Sequence, residues 1–221
     1  MWKIRLVLAA TAMLTLLTAS PSEADLLVNG SFETPIIPAG GFIDYVGGST
    51  ALTGWSVSGV DVNTVSGTFT QDGIVFEAED GKQLMDLSGY TSNSSSNGIS
   101  QTVTTVIGQS YSLSFYVGSA TDHYLFDAST VDLSIGGGTL TSYTNSTTPS
   151  NMVDWKLFTV NFAATDTMTS IAFFDGSGPS NYESLLDNVS LNAVPEPSAV
   201  ILVSLGVVGI MMRTAFRRLR R

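Results

Sequence analysis

The sequence predicts an all-β antiparallel sandwich between about residues 25 and 193, with a targeting segment at each end. Three observations predict it: recurring period-two alternation of apolar residues, clusters of Gly, Ser, Asn and Asp between the alternating runs, and no helical periodicity from Asp25 to Val194. Tyr111, Leu113, Phe115 and Val117 point one way, with serines between. Val131, Leu133 and Ile135 repeat the pattern, as do Phe158, Val160 and Phe162, then Ile171 and Phe173. Leu185, Asp187, Val189 and Leu191 close the series on a single phase. Gly47-Gly48-Ser49, Thr91 to Asn97, Gly136-Gly137-Gly138, Thr144 to Asn151 and Asp175 to Asn181 supply the loops.

Of 221 residues, about 170 remain for this domain once the ends are set aside, enough for one core and too few for two. There is no cysteine, which excludes disulfides, thiolate metal sites and a cysteine nucleophile. Lys3 and Arg5 lie in the leader and five arginines at the other end, so Lys82 and Lys156 are the only lysines or arginines in the middle. Seventeen of the 19 acids lie there too, giving the domain a charge of about −15. Such a surface repels phosphate backbones and excludes nucleic acid as a partner, while it suits divalent cations.

At the N-terminus, Lys3 and Arg5 precede an apolar run from Leu6 to Leu17. Ser22 and Ala24 then provide the small residues signal peptidase accepts, which predicts a signal peptide over 1–24 cut before Asp25. An uncleaved anchor is the alternative, disfavoured by the shortness of the run. At the C-terminus, Val194, Pro195, Glu196 and Pro197 lead into an apolar stretch from Ser198 to Met212. Arg213, Arg217, Arg218, Arg220 and Arg221 follow it. As a helix the stretch reaches only about 22 Å. Snorkelling of Arg213 and the flanking Phe216 and Leu219 extend it toward a ~30 Å hydrocarbon core. The arginines hold that end in the cytoplasm and place the domain outside.

The order Pro-Glu-Pro, apolar helix, arginine cluster over residues 194–221 resembles the PEP-CTERM sorting tail of Gram-negative bacteria that make extracellular polysaccharide. The resemblance implies an exosortase as processing partner, a transient single-pass stay in the inner membrane, and delivery to the cell surface or extracellular matrix. A permanent single-pass anchor is the alternative.

A second resemblance lies in the middle. Leu27-Val28-Asn29-Gly30-Ser31-Phe32-Glu33 opens the domain, and Gly54-Trp55 follows. Asp80 to Leu87, Gly98 to Val103, Trp155 to Thr159 and Leu186-Asp187-Asn188-Val189 come after in that order. This succession is similar to the galactose-binding-like jelly roll of many carbohydrate-binding modules. The resemblance implies a structural calcium joining the first and last strands through Glu33 and Asp187, with carbonyls from Asn29 or the Gly81-Lys82 turn. It also puts Trp55 and Trp155 at positions that usually belong to the core. Asp187 falls on the phase of Leu185, Val189 and Leu191, and a buried carboxylate needs a counter-charge or hydrogen bonds. Calcium supplies the first. Backbone N–H groups around an aspartate at a strand end supply the second, and both remain open at this point.

Catalytic chemistry finds little support. His123 is the only histidine, and Gly-x-Ser-x-Gly is missing. Two acids suffice for a glycosidase, but seventeen acids in no catalytic motif single out no pair. Sugar binding needs aromatic faces beside polar groups, and Tyr90, Tyr124, Tyr143 and Tyr182 lie in or beside loops where they could supply them. A packed loop anchor is the plainer role for each. The leading expectation is a non-catalytic surface or matrix protein that binds exopolysaccharide. The alternatives are a matrix or coat component without a sugar pocket and, third, a polysaccharide hydrolase.

Overall fold

The computed structural model describes residues 25–71, 73–91, 94–120, 128–147, 151–177 and 184–195. The leader, the tail from Glu196 onward, His123, Tyr124 and Tyr182 lie outside the described residues. The described domain, up to Ala193, forms one compact unit. Among the described residues no helix is long and apolar enough to cross a membrane.

Thirteen strands are described: β1 (Phe42–Val46), β2 (Ser56–Ser58), β3 (Asp61–Ser66), β4 (Thr70–Gln71), β5 (Ile74–Val75), β6 (Gln83–Asp86) and β7 (Gly98–Thr104), then β8 (Ser110–Ser119), β9 (Ser129–Ile135), β10 (Thr141–Asn145), β11 (Asp154–Ala163), β12 (Met168–Asp175) and β13 (Leu185–Ala193). They form a six-stranded sheet in the order β1-β3-β6-β13-β8-β11, a five-stranded sheet in the order β10-β9-β12-β7-β2, and the small hairpin β4-β5. The ladders within the sheets are antiparallel, so the structure is the two-sheet sandwich that alternation predicts.

The main core lies between the sheets. Phe115 on β8 is fully buried and meets Phe173 of the opposite sheet edge to face, with ring centroids 5.1 Å apart. Tyr143 packs on Phe115 in the same way at 5.1 Å, and Phe158 stacks on it at 5.8 Å. Removing a ring so enclosed costs about 3–5 kcal/mol.

A second apolar cluster was not legible in the alternation. Val65, Ile74, Phe76, Leu84, Ala120, Val153 and Leu185 pack on the other face of the six-stranded sheet, where the β4-β5 segment covers it. Burial on both faces explains β3, whose six residues are all buried although their sequence, Asp-Val-Asn-Thr-Val-Ser, looks half polar.

The single phase expected for β13 breaks. Leu186 enters the main core, whereas Leu185 belongs to the outer cluster, so Asp187 shares the outer face with Leu185. The register shifts between Asp187 and Ser190, and Asn188 adopts a left-handed φ of 47°. This bulge returns Val189 and Leu191 to the core. Asp187 is buried nonetheless, by the segment that crosses over it rather than by the core.

Candidate functional site

The residues that carry the jelly-roll resemblance fasten the first segment of the domain. Leu26 N–H donates to Leu191 O at 2.9 Å and Val189 N–H donates to Gly30 O at 3.0 Å, so residues 26–30 run beside β13. Gly30 is required there, because a Cβ would lie 1.9 Å from Val189 O. Asn29, at φ 59°, donates through Nδ2 to Thr34 O and Thr53 O and accepts Thr34 N–H. Trp55 is core, and its Nε1 donates to Asn29 O. Gln83 Nε2 donates to Phe32 O and Pro35 O while its Oε1 accepts Ile37 N–H. These side chains supply the partners that the irregular segment 28–37 lacks as backbone.

Glu33 and Asp187 brace the same short stretch from two sides. Glu33 Oε1 accepts the N–H groups of Lys82 at 2.6 Å and Gln83 at 2.7 Å. Asp187 Oδ2 accepts those of Glu79 at 2.8 Å and Asp80 at 3.1 Å, and Oδ1 accepts Asn188 N–H at 2.7 Å. The backbone-bonded arrangement for Asp187 is therefore present, in mid-strand rather than at a strand end. Burial still pushes the Asp187 carboxyl up to about 8, against the pull of these three N–H groups and with the Glu79 charge adding to the rise.

Two features fit a divalent ion here: the buried Asp187 carboxylate has no bonded cationic side chain, and Glu33 Oε2 carries no hydrogen bond among the described residues. Two of the expected carbonyls are already engaged. Asn29 O accepts from Trp55 Nε1 and Phe32 N–H, and Lys82 O accepts Gly67 N–H. No group of three or more acids able to hold a metal occurs among the described residues.

The candidate tyrosines part company. Tyr90 is 70% exposed and lies against Phe42, with ring centroids 5.3 Å apart. Tyr143 is wedged between Phe115 and Phe158 and serves the core. Tyr124 and Tyr182 lie outside the described residues. Val194 and Pro195 are exposed just past β13; Glu196, Pro197 and the arginines Arg213, Arg217, Arg218, Arg220 and Arg221 are not described.

The surface best built for a ligand came from neither motif. The register aligns Ser58, Gly98, Phe174, Asp132 and Ser142 in one row across all five strands of the second sheet. Phe173 and Leu133 beside this row point into the core, so the row itself faces out. The half-buried Phe174 ring leans across Gly98, where a Cβ would come 2.6 Å from Cδ1. Asp132 pairs with Phe174 in the register, and its Oδ1 is buried and has no hydrogen-bond partner among the described residues. The next row, Ser56, Ser100, Ala172 and Ser134, consists of small side chains. The detectable sequence feature was the second aromatic of Phe173-Phe174, which strand alternation puts on the outside.

Comparison with known proteins follows the geometry. The family described as "Protein of unknown function (DUF642)" matches residues 25–192. Halomucin from Haloquadratum walsbyi is 30% identical over 188 residues, covering 81% of this chain and 2% of that protein. The chain thus spans about 2% of the length of that curated relative. Among solved structures, the sandwich is similar to TmCBM61 in complex with β-1,4-galactotriose, at 19% identity and a TM-score of 0.46, covering 78% of this chain and 100% of that one. It is also similar to the CBM22-1 xylan-binding domain of Paenibacillus barcinonensis Xyn10C, at 16% identity and a TM-score of 0.43, covering 72% and 99%. The Podospora anserina GH26-CBM35 β-(1,4)-mannanase aligns at 15% identity and a TM-score of 0.39, covering 72% of this chain but 29% of that enzyme.

Proposed function

Taking as premise that this chain belongs to the DUF642 family, we propose that it is an exported, non-catalytic polysaccharide-binding protein whose ligand lies across the outer face of the five-stranded sheet. The observation that carries the reading is the Phe174–Asp132 pair: an aromatic ring held over a bare glycine, beside a buried carboxylate oxygen with no partner. A pyranose presents C–H groups to such a ring and hydroxyl donors to the accessible part of the half-buried Asp132 carboxylate beside it. The row crosses five strands, about 19 Å at ~4.8 Å per spacing, so it suits a chain of sugars more than a single one.

The route to this surface belongs to the same proposal. Signal peptidase removes residues 1–24. The tail then holds the protein in the inner membrane until an exosortase cuts near Pro195-Glu196-Pro197 and releases it to the exopolysaccharide matrix. What supports this is the order of the Pro-Glu-Pro motif, apolar stretch and arginine cluster in the sequence. Glu33 and Asp187 would hold a structural calcium ion, which would neutralise the buried Asp187 and tie the 79–83 stretch to β13; the support is that carboxylate's burial without a bonded cation.

Three of the acids set into the sheets are engaged in structure. Asp61 Oδ2 accepts from Thr91, Asp86 Oδ1 from Ser88 and Asp175 Oδ1 from Ser184. Glycan-array binding by the full chain tests the reading. Phe174→Ala should lower the response roughly tenfold, the worth of one stacked ring at about 1.5 kcal/mol. Asp132→Asn should lower it as well. No glycan bound by the native chain would leave the coat-component alternative standing instead.

A further inference from the structure

A second site lies on the other sheet, at its β1 edge. Phe42 is 38% exposed and Tyr90 is 70% exposed, and their rings meet at 5.3 Å with planes 36° apart. Phe42 is itself braced edge to face by Phe69 at 5.8 Å, and Phe69 by the buried Phe76 at 5.5 Å. The exposed pair is therefore anchored rather than loose, and two large rings left open to water call for a ligand.

Acids and an amide lie beside it. Asp44 is exposed on the same face of β1 as Phe42. Asn63 lies directly opposite Asp44 in the ladder. With its side-chain amide turned so that N and O exchange places, the orientation that satisfies both atoms, Asn63 donates to Asp44 Oδ1 at 2.9 Å and accepts Tyr90 N–H at 3.2 Å, tying the carboxylate to the ring-bearing loop. Asp61 is fully buried two register positions along β3, opposite Val46. Its Oδ2 accepts Thr91 N–H at 2.7 Å, but Oδ1 has no partner. That oxygen faces Gly89, next to Tyr90, where a Cβ would lie 2.2 Å away. Burial and the Asp61 charge both raise the Asp44 carboxyl.

Among the described residues no cation relieves this charge. Lys156, one of the two lysines of the domain, lies on β11 at the opposite edge of the sheet, 5.0 Å over Phe158, and donates to Thr144 O of β10. Lys82 makes no salt bridge among the described residues. Aromatic faces beside uncompensated carboxylates are the chemistry that recognises an ammonium group. The domain's charge of about −15 draws such a ligand in.

We propose that Phe42, Tyr90 and Asp44 form a platform for an amine-bearing sugar, a glucosamine unit with a free amino group within a polysaccharide. The rings take the C–H face of the pyranose and the ammonium, Asp44 pairs with the charge, and Asp61 supplies the field beneath. The choice of a sugar amine over a peptide amine rests on the polysaccharide reading above. With the Phe174 surface on the opposite sheet, the domain holds two different sugar chemistries on its two faces.

The test is titration of the full chain with a β-1,4-linked glucosamine tetramer and with its fully N-acetylated counterpart. The free-amine tetramer should bind at least tenfold more tightly, and the difference should shrink as salt is added. Tyr90→Ala and Asp44→Asn should each remove at least tenfold of the amine affinity. Neither should alter neutral-glycan binding, which Phe174→Ala should lower roughly tenfold on its own. Equal affinity for the two tetramers, or amine binding undiminished in Tyr90→Ala, overturns the inference while leaving the polysaccharide reading intact. Tighter binding of a lysine tetramer with the same dependence on Tyr90 overturns the assignment to sugar.

Discussion

Gln101 pairs with the main chain of Val28 in both directions, its Oε1 accepting Val28 N–H at 2.8 Å and its Nε2 donating to Val28 O at 3.0 Å. A side-chain amide thus takes the place of a strand neighbour for the first segment. Gln101→Leu should cost about 1–3 kcal/mol, the range for leaving such groups without partners. Equilibrium unfolding in urea measures it, and a change below about 0.5 kcal/mol would mean that water replaces the amide at no loss.

Gly30→Ala should be more damaging. Its Cβ would meet Val189 O at 1.9 Å, so the first segment must move off β13 and surrender the Gly30–Val189 hydrogen bond. A loss of about 3 kcal/mol or more is expected, with early proteolysis near residues 25–35 as a second readout. Wild-type protection of that segment in the variant would contradict the account.

Acidity should stabilise the domain. Burial pushes the Asp86 carboxyl up to about 7, against the hydrogen bonds from Ser88 and with the nearby Asp175 adding to the rise. Unfolded, the same group titrates near about 3.9. Between those values the folded state keeps a proton that the unfolded state has released. The contribution is full below about pH 4 and is lost as pH rises through about 7. Thermal midpoints in chelator should therefore fall from pH 5 to pH 8, and Asp86→Asn should flatten the fall. A midpoint that rises across this range is incompatible with a protonated Asp86.

Calcium removal gives an independent check on Glu33 and Asp187. At a hundredfold excess over its Kd, an ion that binds only the folded state adds about 2.7 kcal/mol. Chelation should then lower the midpoint by ~5–10 °C for a chain of this size. Asp187→Asn should remove that response. An unchanged midpoint in the native protein rules the ion out as a stabiliser.

The sandwich was legible because its core strands alternate cleanly: Tyr111 to Val117, Val131 to Ile135 and Phe158 to Phe162 all turn the expected residues inward. The strands buried on both faces were not. Alternation disappears where a second cluster covers the outer face, as it does over Val65 and Leu84. Asp187 was singled out for the right reason, its burial, but on the wrong face, because a bulge with Asn188 at a left-handed φ leaves no trace in a period-two pattern. The first motif was legible as a unit, and its amides and glycine prove to serve attachment of the chain. Phe174 and Asp132 were missed because their meaning lies in cross-strand register, which a single strand does not reveal.

The central claim is that the outer face of the second sheet holds polysaccharide through Phe174. Affinity electrophoresis of the full chain through gels containing neutral polysaccharides tests it most directly. The native protein should be retarded and Phe174→Ala should be retarded far less, in keeping with a roughly tenfold weaker affinity, with both showing the same unfolding midpoint. Equal retardation of the two proteins would contradict the claim.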